Sequence, residues 1–165
     1  MTSFLLEACQ WLESTQLGTA LRESSLMFPL VEGTHLLALG LSVGTIAISD
    51  LRLLGVTMRE QPVSEVMGEL LPWSIGGFVV MVVTGVLLFW SEAVKVYASP
   101  WFRLKVLFLL LAVANVLVYH LTIHRRQREW DRDPVPPAAA RLAGGLSLLL
   151  WGLVIAAGRT TAYKL

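Results

Sequence analysis

The side chains able to do chemistry in this chain lie inside apolar sequence. His35 follows Glu32 at the i, i+3 spacing that sets two side chains on one helix face. A histidine within a membrane segment serves as a haem axial ligand, a copper ligand, a proton relay or an interhelical hydrogen-bond partner. Glu-x-x-His also occurs in bundled di-metal sites, but those require a second such pair and further carboxylates, which this sequence lacks. Arg103 and Lys105 open another apolar run, and Arg159 closes the last one. Cations so placed suit an anionic guest such as the propionates of a haem. Their alternative role is to snorkel to lipid headgroups.

These residues must be positioned by helices. Residues 27–49, 71–90, 104–123 and 142–158 are apolar runs of about the length that crosses a bilayer. Within lipid every backbone polar group needs a partner in its own segment, so helices are the spans expected here. Charged residues make up 15% of the 165, against about 25% in soluble domains. Four spans and their connectors use nearly all of that length, which leaves no room for a soluble catalytic domain. The net charge of +1 gives no basis for nucleic-acid binding. Cys9 is the only cysteine, which excludes an internal disulfide and a thiolate cluster. Nucleotide-binding and hydrolase motifs are absent.

Residues 1–26 contain Glu7, Glu13, Arg22 and Glu23 ahead of the first long run, so no cleavable signal peptide is expected. Phe4, Leu5, Ala8, Trp11 and Leu12 have helical spacing, which predicts an amphipathic surface helix over residues 3–22, capped by Thr2 or Ser3. Residues 63–71 predict a short interfacial helix capped by Ser64, and residues 93–100 a short loop. The charged, proline-broken stretch 124–137 reads as a loop. Trp73, Trp90, Trp101 and Trp130 fall near span ends, as in an aromatic belt. Small residues such as Gly40, Gly44, Gly76, Gly77, Gly85, Gly144 and Gly145 stud the spans and permit close helix packing.

Depth follows from helix rise. His35 lies ~12 Å and Lys105 ~6 Å from the same end of the bundle, at 1.5 Å per residue. Glu32, Glu92, Arg103 and Arg159 fall at that end too, so all four spans bring an ionisable group to one layer. His120 and His124, at i, i+4, lie near the opposite end. Their depth differs from that of His35 by roughly 18 Å, so one haem plane does not join His120 to His35 within a monomer. His120 is a candidate ligand of a second, inner cofactor, with interfacial packing against Asp50 or lipid phosphate as the alternative. Asp50 and Arg52 read as a structural ion pair or a cap-like contact. Asn115 reads as an interhelical hydrogen-bonding residue. Arg52, Arg59, Arg125, Arg126, Arg128, Arg132 and Arg141 outweigh Arg22, Lys95, Arg103, Lys105, Arg159 and Lys164 at the other end. The positive-inside rule therefore puts the loop after the third span in the cytoplasm and both termini outside.

The strings Phe28-Pro29-Leu30-Val31-Glu32-Gly33-Thr34-His35 and Asp50-Leu51-Arg52-Leu53-Leu54-Gly55 resemble an uncharacterised family of small bacterial four-helix membrane proteins. Leu71-Pro72-Trp73, Thr84-Gly85, Phe102-Arg103-Leu104-Lys105 and Ala157-Gly158-Arg159 are similar to the same family, and the likeness covers nearly the whole chain. More distantly, the layout resembles the CopD copper-resistance membrane domain and HemJ, the membrane protoporphyrinogen oxidase. In HemJ a histidine of an early span and a lysine opening a later one are associated with haem b. The matching positions are His35 and Lys105. The CopD resemblance implies copper handling.

The expectation is an all-α integral membrane four-helix bundle with an N-terminal amphipathic surface helix, in a bacterial inner membrane with both termini periplasmic. The expected function is b-type haem binding for electron transfer on the outer side. His35 is then the axial ligand and Lys105 the second ligand or a propionate partner, with Arg103, Arg159 and Glu32 nearby. As a ligand, Lys105 must be the neutral amine. Whether the chain is itself a membrane oxidoreductase or a cytochrome subunit stays open. CopD-like copper transport and a non-catalytic structural subunit are the alternatives. The bundle is expected to contact the lipid bilayer and to assemble with itself or with membrane or periplasmic redox subunits.

Overall fold

The structure, a computed structural model, describes residues 2–163, with the side chains of residues 4–163. The capping role of Thr2 or Ser3 and the placement of Lys164 lie outside the described residues. Seven α-helices follow in order: α1 (Thr2–Ser14), α2 (Gln16–Glu23), α3 (Met27–Leu53), α4 (Val63–Ser91), α5 (Ala93–Ala98), α6 (Pro100–Val118) and α7 (Ala138–Tyr163). Four are long and apolar enough to cross a membrane: α3, α4, α7, and α6 with its helical continuation to Glu129. They pack antiparallel as a bundle in which α3 lies against α4 and α7, and α6 lies against α7. The chain is thus a multi-pass membrane protein.

Most large apolar side chains face outward. Leu37 is 78% and Leu110 62% exposed, an arrangement suited to lipid and not to water. The interior is small and mixed. Ala38, Met81, Ala112, Leu150, Trp151 and Val154 form a cluster fed by all four long helices, with Phe78 edge-on to Trp151. A second cluster of Leu53, Val63, Tyr119, Trp130 and Ala140 closes the end opposite the termini. Lipid is as apolar as these side chains, so close packing and hydrogen bonds hold the helices together more than burial does.

The departures from the sequence reading have local causes. The surface helix is broken, because the Thr15 hydroxyl ends α1 by donating to Leu12 O at 2.6 Å and caps α2 by accepting from Gly18 N–H at 3.2 Å. Trp90 does not serve only as a belt residue: its indole N–H donates to that same hydroxyl at 2.9 Å. The stretch after Glu92 is α5 and not a loop, capped by Glu13, whose carboxylate accepts from Val94 N–H at 2.8 Å.

The short interfacial helix is instead the first turns of α4, which continues through Pro72. Its cap is Asp131 rather than Ser64. The third span runs on past α6 as a π-turn, Tyr119–Ile123, and a 3-10 stretch, His124–Glu129. Charge in the sequence masks this extension. Gln127 and Trp130 are buried at i, i+3, the period that aligns side chains in a 3-10 helix.

Candidate functional site

His35 sits on the third turn of α3 and turns toward α4, half-buried in the bundle. Its Nδ1 lies 2.9 Å from the Thr84 hydroxyl. That hydroxyl has one proton and a carbonyl of its own helix, Val80 O, at 2.7 Å. Donating there leaves it free to accept from His35 Nδ1–H. In that arrangement the ring is the tautomer whose Nε2 carries the lone pair, the form required of a metal ligand or a proton acceptor. Gly85 makes room for the ring, since a Cβ at that position would stand 3.1 Å from His35 Cε1.

Lys105 comes from the first turns of α6 and lies along α7. A Cβ on Gly158 would be 3.5 Å from its Cδ, Cε and Nζ, so the stem runs over bare backbone. Its amine makes no hydrogen bond or ion pair among the described residues, and it stands within electrostatic reach of His35. All four long helices therefore contribute to one layer: His35 from α3, Thr84 and Gly85 from α4, Lys105 from α6 and Gly158 from α7.

The other residues singled out at this end do not join them. Arg103 is exposed, stacked on Tyr97 at 5.4 Å from the ring centre. Arg159 is exposed over Tyr163, with Nη2 donating to the phenol oxygen at 2.6 Å. Glu92 pairs with Lys95 at 3.6 Å. Glu32 is exposed and has no ion pair among the described residues. The cations with tyrosine partners are arranged as snorkelling groups. Thr84 is the site residue that sequence reasoning missed. A hydroxyl in an otherwise apolar run, opposite a histidine, is the signal that would have found it.

At the opposite end, Arg52 has no exposed surface. It donates from Nε to Gln61 O at 3.0 Å and from Nη2 to Asp133 O at 3.1 Å. It does not pair with Asp50. His120 is exposed on the π-turn, and its Nδ1 lies 2.9 Å from Val116 O, with the His124 ring centre 5.3 Å away. Val116 O also accepts from Tyr119 N–H. Asn115 donates to Ala143 O at 3.0 Å, the interhelical bond expected of it. Among the described residues, no group of three or more His, Cys, Asp or Glu could hold a metal ion. Cys9 is buried, and burial followed by the nearby Glu13 pushes its thiol up, away from the reactive thiolate.

A family of unknown function (DUF6644) matches residues 9–164. The chain belongs to that family. The match takes in both ends of the bundle and every residue of the His35–Lys105 layer. No curated protein and no solved structure matches the chain.

Proposed function

We propose that this protein binds a b-type haem at the layer of His35 and Lys105 and passes electrons there, on the periplasmic side of a bacterial inner membrane. The observation that carries the reading is the 2.9 Å contact between His35 Nδ1 and the Thr84 hydroxyl, which has Val80 O at 2.7 Å to donate to; with the hydroxyl accepting from Nδ1–H, Nε2 would be the ligating atom. The remaining donor set supports it. Lys105 offers a primary amine with no partner among the described residues, and a glycine lies against each of the two side chains. The distant resemblance to HemJ points to the same two positions. A bound haem would supply one-electron chemistry. His35 would hold it from α3, Thr84 would keep the imidazole in the ligating tautomer, and Lys105 would act as second ligand or propionate partner.

The test is a visible spectrum of protein purified from haem-replete cells. A Soret band that sharpens on reduction and is lost in His35→Ala supports the reading, and colourless wild-type protein ends it. Copper in the purified protein without that band would favour the CopD-like alternative. The structural-subunit reading has its own observation, the exposed Glu32 beside the layer, which has no ion pair among the described residues. It would be favoured if Glu32→Ala abolished assembly without changing cofactor content.

A further inference from the structure

We propose that Asp50 is a proton-binding site inside the membrane bundle, a carboxyl that rests protonated and exchanges its proton with water on the Arg52 side. It lies in the last turns of α3 and is 6% exposed. One carboxyl oxygen, Oδ2, is buried without a hydrogen-bond partner. The Ser147 side chain, from α7, faces the carboxyl. α7 also seals the Asp50 backbone, since a Cβ on Gly144 would meet Asp50 O at 3.0 Å.

Among the described residues no cation pairs with this carboxyl. The side-chain ion pairs among the described residues, Arg22–Glu13 and Lys95–Glu92, lie at the terminal end. Arg52 is two residues on, and helix geometry points residues at that spacing to different faces. Its Nε and Nη2 go to the Gln61 and Asp133 carbonyls, while Nη1 is buried without a hydrogen-bond partner among the described residues and makes no ion pair with Asp50; the guanidinium feels the charge of Asp131. From the α6 extension, Tyr119 faces the site, with its hydroxyl donating to Met67 Sδ at 3.5 Å. Tyr119 is also within electrostatic reach of both Asp50 and Asp131. α4 contributes Met67, while its Glu65 and Glu69 are exposed, as is Arg141 of α7.

An ionised carboxylate here would be buried, unpaired and short of donors, which costs several kcal/mol. Binding a proton removes that cost and supplies an O–H donor. The step is a proton transfer alone: hydronium gives up a proton, one O–H bond forms on the carboxylate, and water remains. Asp50 lies three residues from the end of α3, ~5 Å along the axis. The site is separate from the His35 layer, fifteen residues or ~22 Å along the same helix.

Infrared spectroscopy of the protein in nanodiscs tests this. The wild type should show a protonated-carboxyl band that shifts in deuterium oxide and diminishes at alkaline pH. The band should shift again when aspartate alone carries a carbon-13 carboxyl, and it should be lost in Asp50→Asn. Asp50, Asp131 and Asp133 are the only aspartates, and the latter two lie in the loop, so the isotope identifies the group without a substitution. A hydrophobic carbodiimide should modify Asp50 in the wild type. Absence of an aspartate band, or a band unchanged in folded Asp50→Asn, overturns the proposal.

Discussion

Asp131 and Ser64 are bonded twice, from backbone N–H to Oδ1 at 2.7 Å and from hydroxyl to Oδ2 at 2.6 Å. Val63 N–H adds a third contact, donating to Asp131 O at 2.9 Å. The first turn of α4 carries N–H groups with no partner inside the helix. A loop nearly seventy residues further along the chain supplies them, and in doing so ties the second span to the end of the third.

That cap titrates. Burial works to raise the Asp131 carboxyl, but the Ser64 hydroxyl and amide, then Gln127 and Arg132, outweigh it and hold it below the usual carboxylate range. A carboxyl depressed in the folded state stabilises fully above its unfolded value of about 4 and loses that contribution as pH falls through the folded value. The stability difference between wild type and Asp131→Asn in detergent should therefore be level from neutral pH down to about pH 5 and shrink in stronger acid. Asp131→Asn should cost about 1 kcal/mol at neutral pH and less in strong acid. An unchanged acid profile in that variant would show that the cap carries no weight.

Adjacent glycines of α4 should behave in opposite ways. A Cβ on Gly77 would stand 3.0 Å from Ala38 O and from Ser42 N and Cβ, whereas Gly76 has nothing within 4 Å. Gly77→Ala must push α3 away and should cost about 1–3 kcal/mol. Gly76→Ala should be neutral, or gain up to about 1 kcal/mol from helix propensity. Unfolding midpoints of the two single variants in one detergent decide it, and equal effects would contradict the close α3–α4 approach.

Long apolar runs with few charges could be recognised as spans from the sequence alone, because the bilayer fixes their length. Helix rise puts His35 and Lys105 at one level, and both side chains turn inward. Depth says nothing about azimuth, however. Arg103, Arg159 and Glu32 share the level and point outward. Asp50 and Arg52 looked like a pair because they are close in sequence, but two positions on a helix diverge. Ser64 looked like a cap by residue type, while the actual cap came from a loop whose charges gave no hint of its fold. Tertiary partners such as Thr84 for His35 and Ser147 for Asp50 depend on helix rotation, which the nearly uniform apolar runs leave unspecified.

Thr84 should matter through its oxygen. Thr84→Val keeps the shape but removes the acceptor for His35 Nδ1–H, leaving a buried donor unsatisfied at a cost of about 1–3 kcal/mol. Thr84→Ser should restore most of it. If haem is bound, loss of this orienting bond should weaken its retention by about 10–100-fold in the valine variant and not in the serine one. Equal retention in all three proteins would remove Thr84 from the site.

Arg52 is the sharpest test of the end opposite the termini. Its buried guanidinium joins three parts of the chain: α3, the turn containing Gln61 and the loop ending at Asp133. Beside it, Gly55 takes a left-handed φ of 70°, and its carbonyl accepts from Arg59 Nε. Hydrogen bonds from a charged donor contribute about 1.5–3 kcal/mol each, so Arg52→Ala should destabilise by about 3 kcal/mol or more and strand two carbonyls. Lysine lacks the planar fork and reaches only one carbonyl at a time, so Arg52→Lys should recover no more than half. Trypsin offers a local readout, because Arg59 is exposed on the released turn. Cleavage after Arg59 should accelerate in Arg52→Ala, less so in Arg52→Lys, and remain slow in the wild type. Loss of global stability with no faster cut at Arg59 would mean that the guanidinium fills space but does not hold the turn.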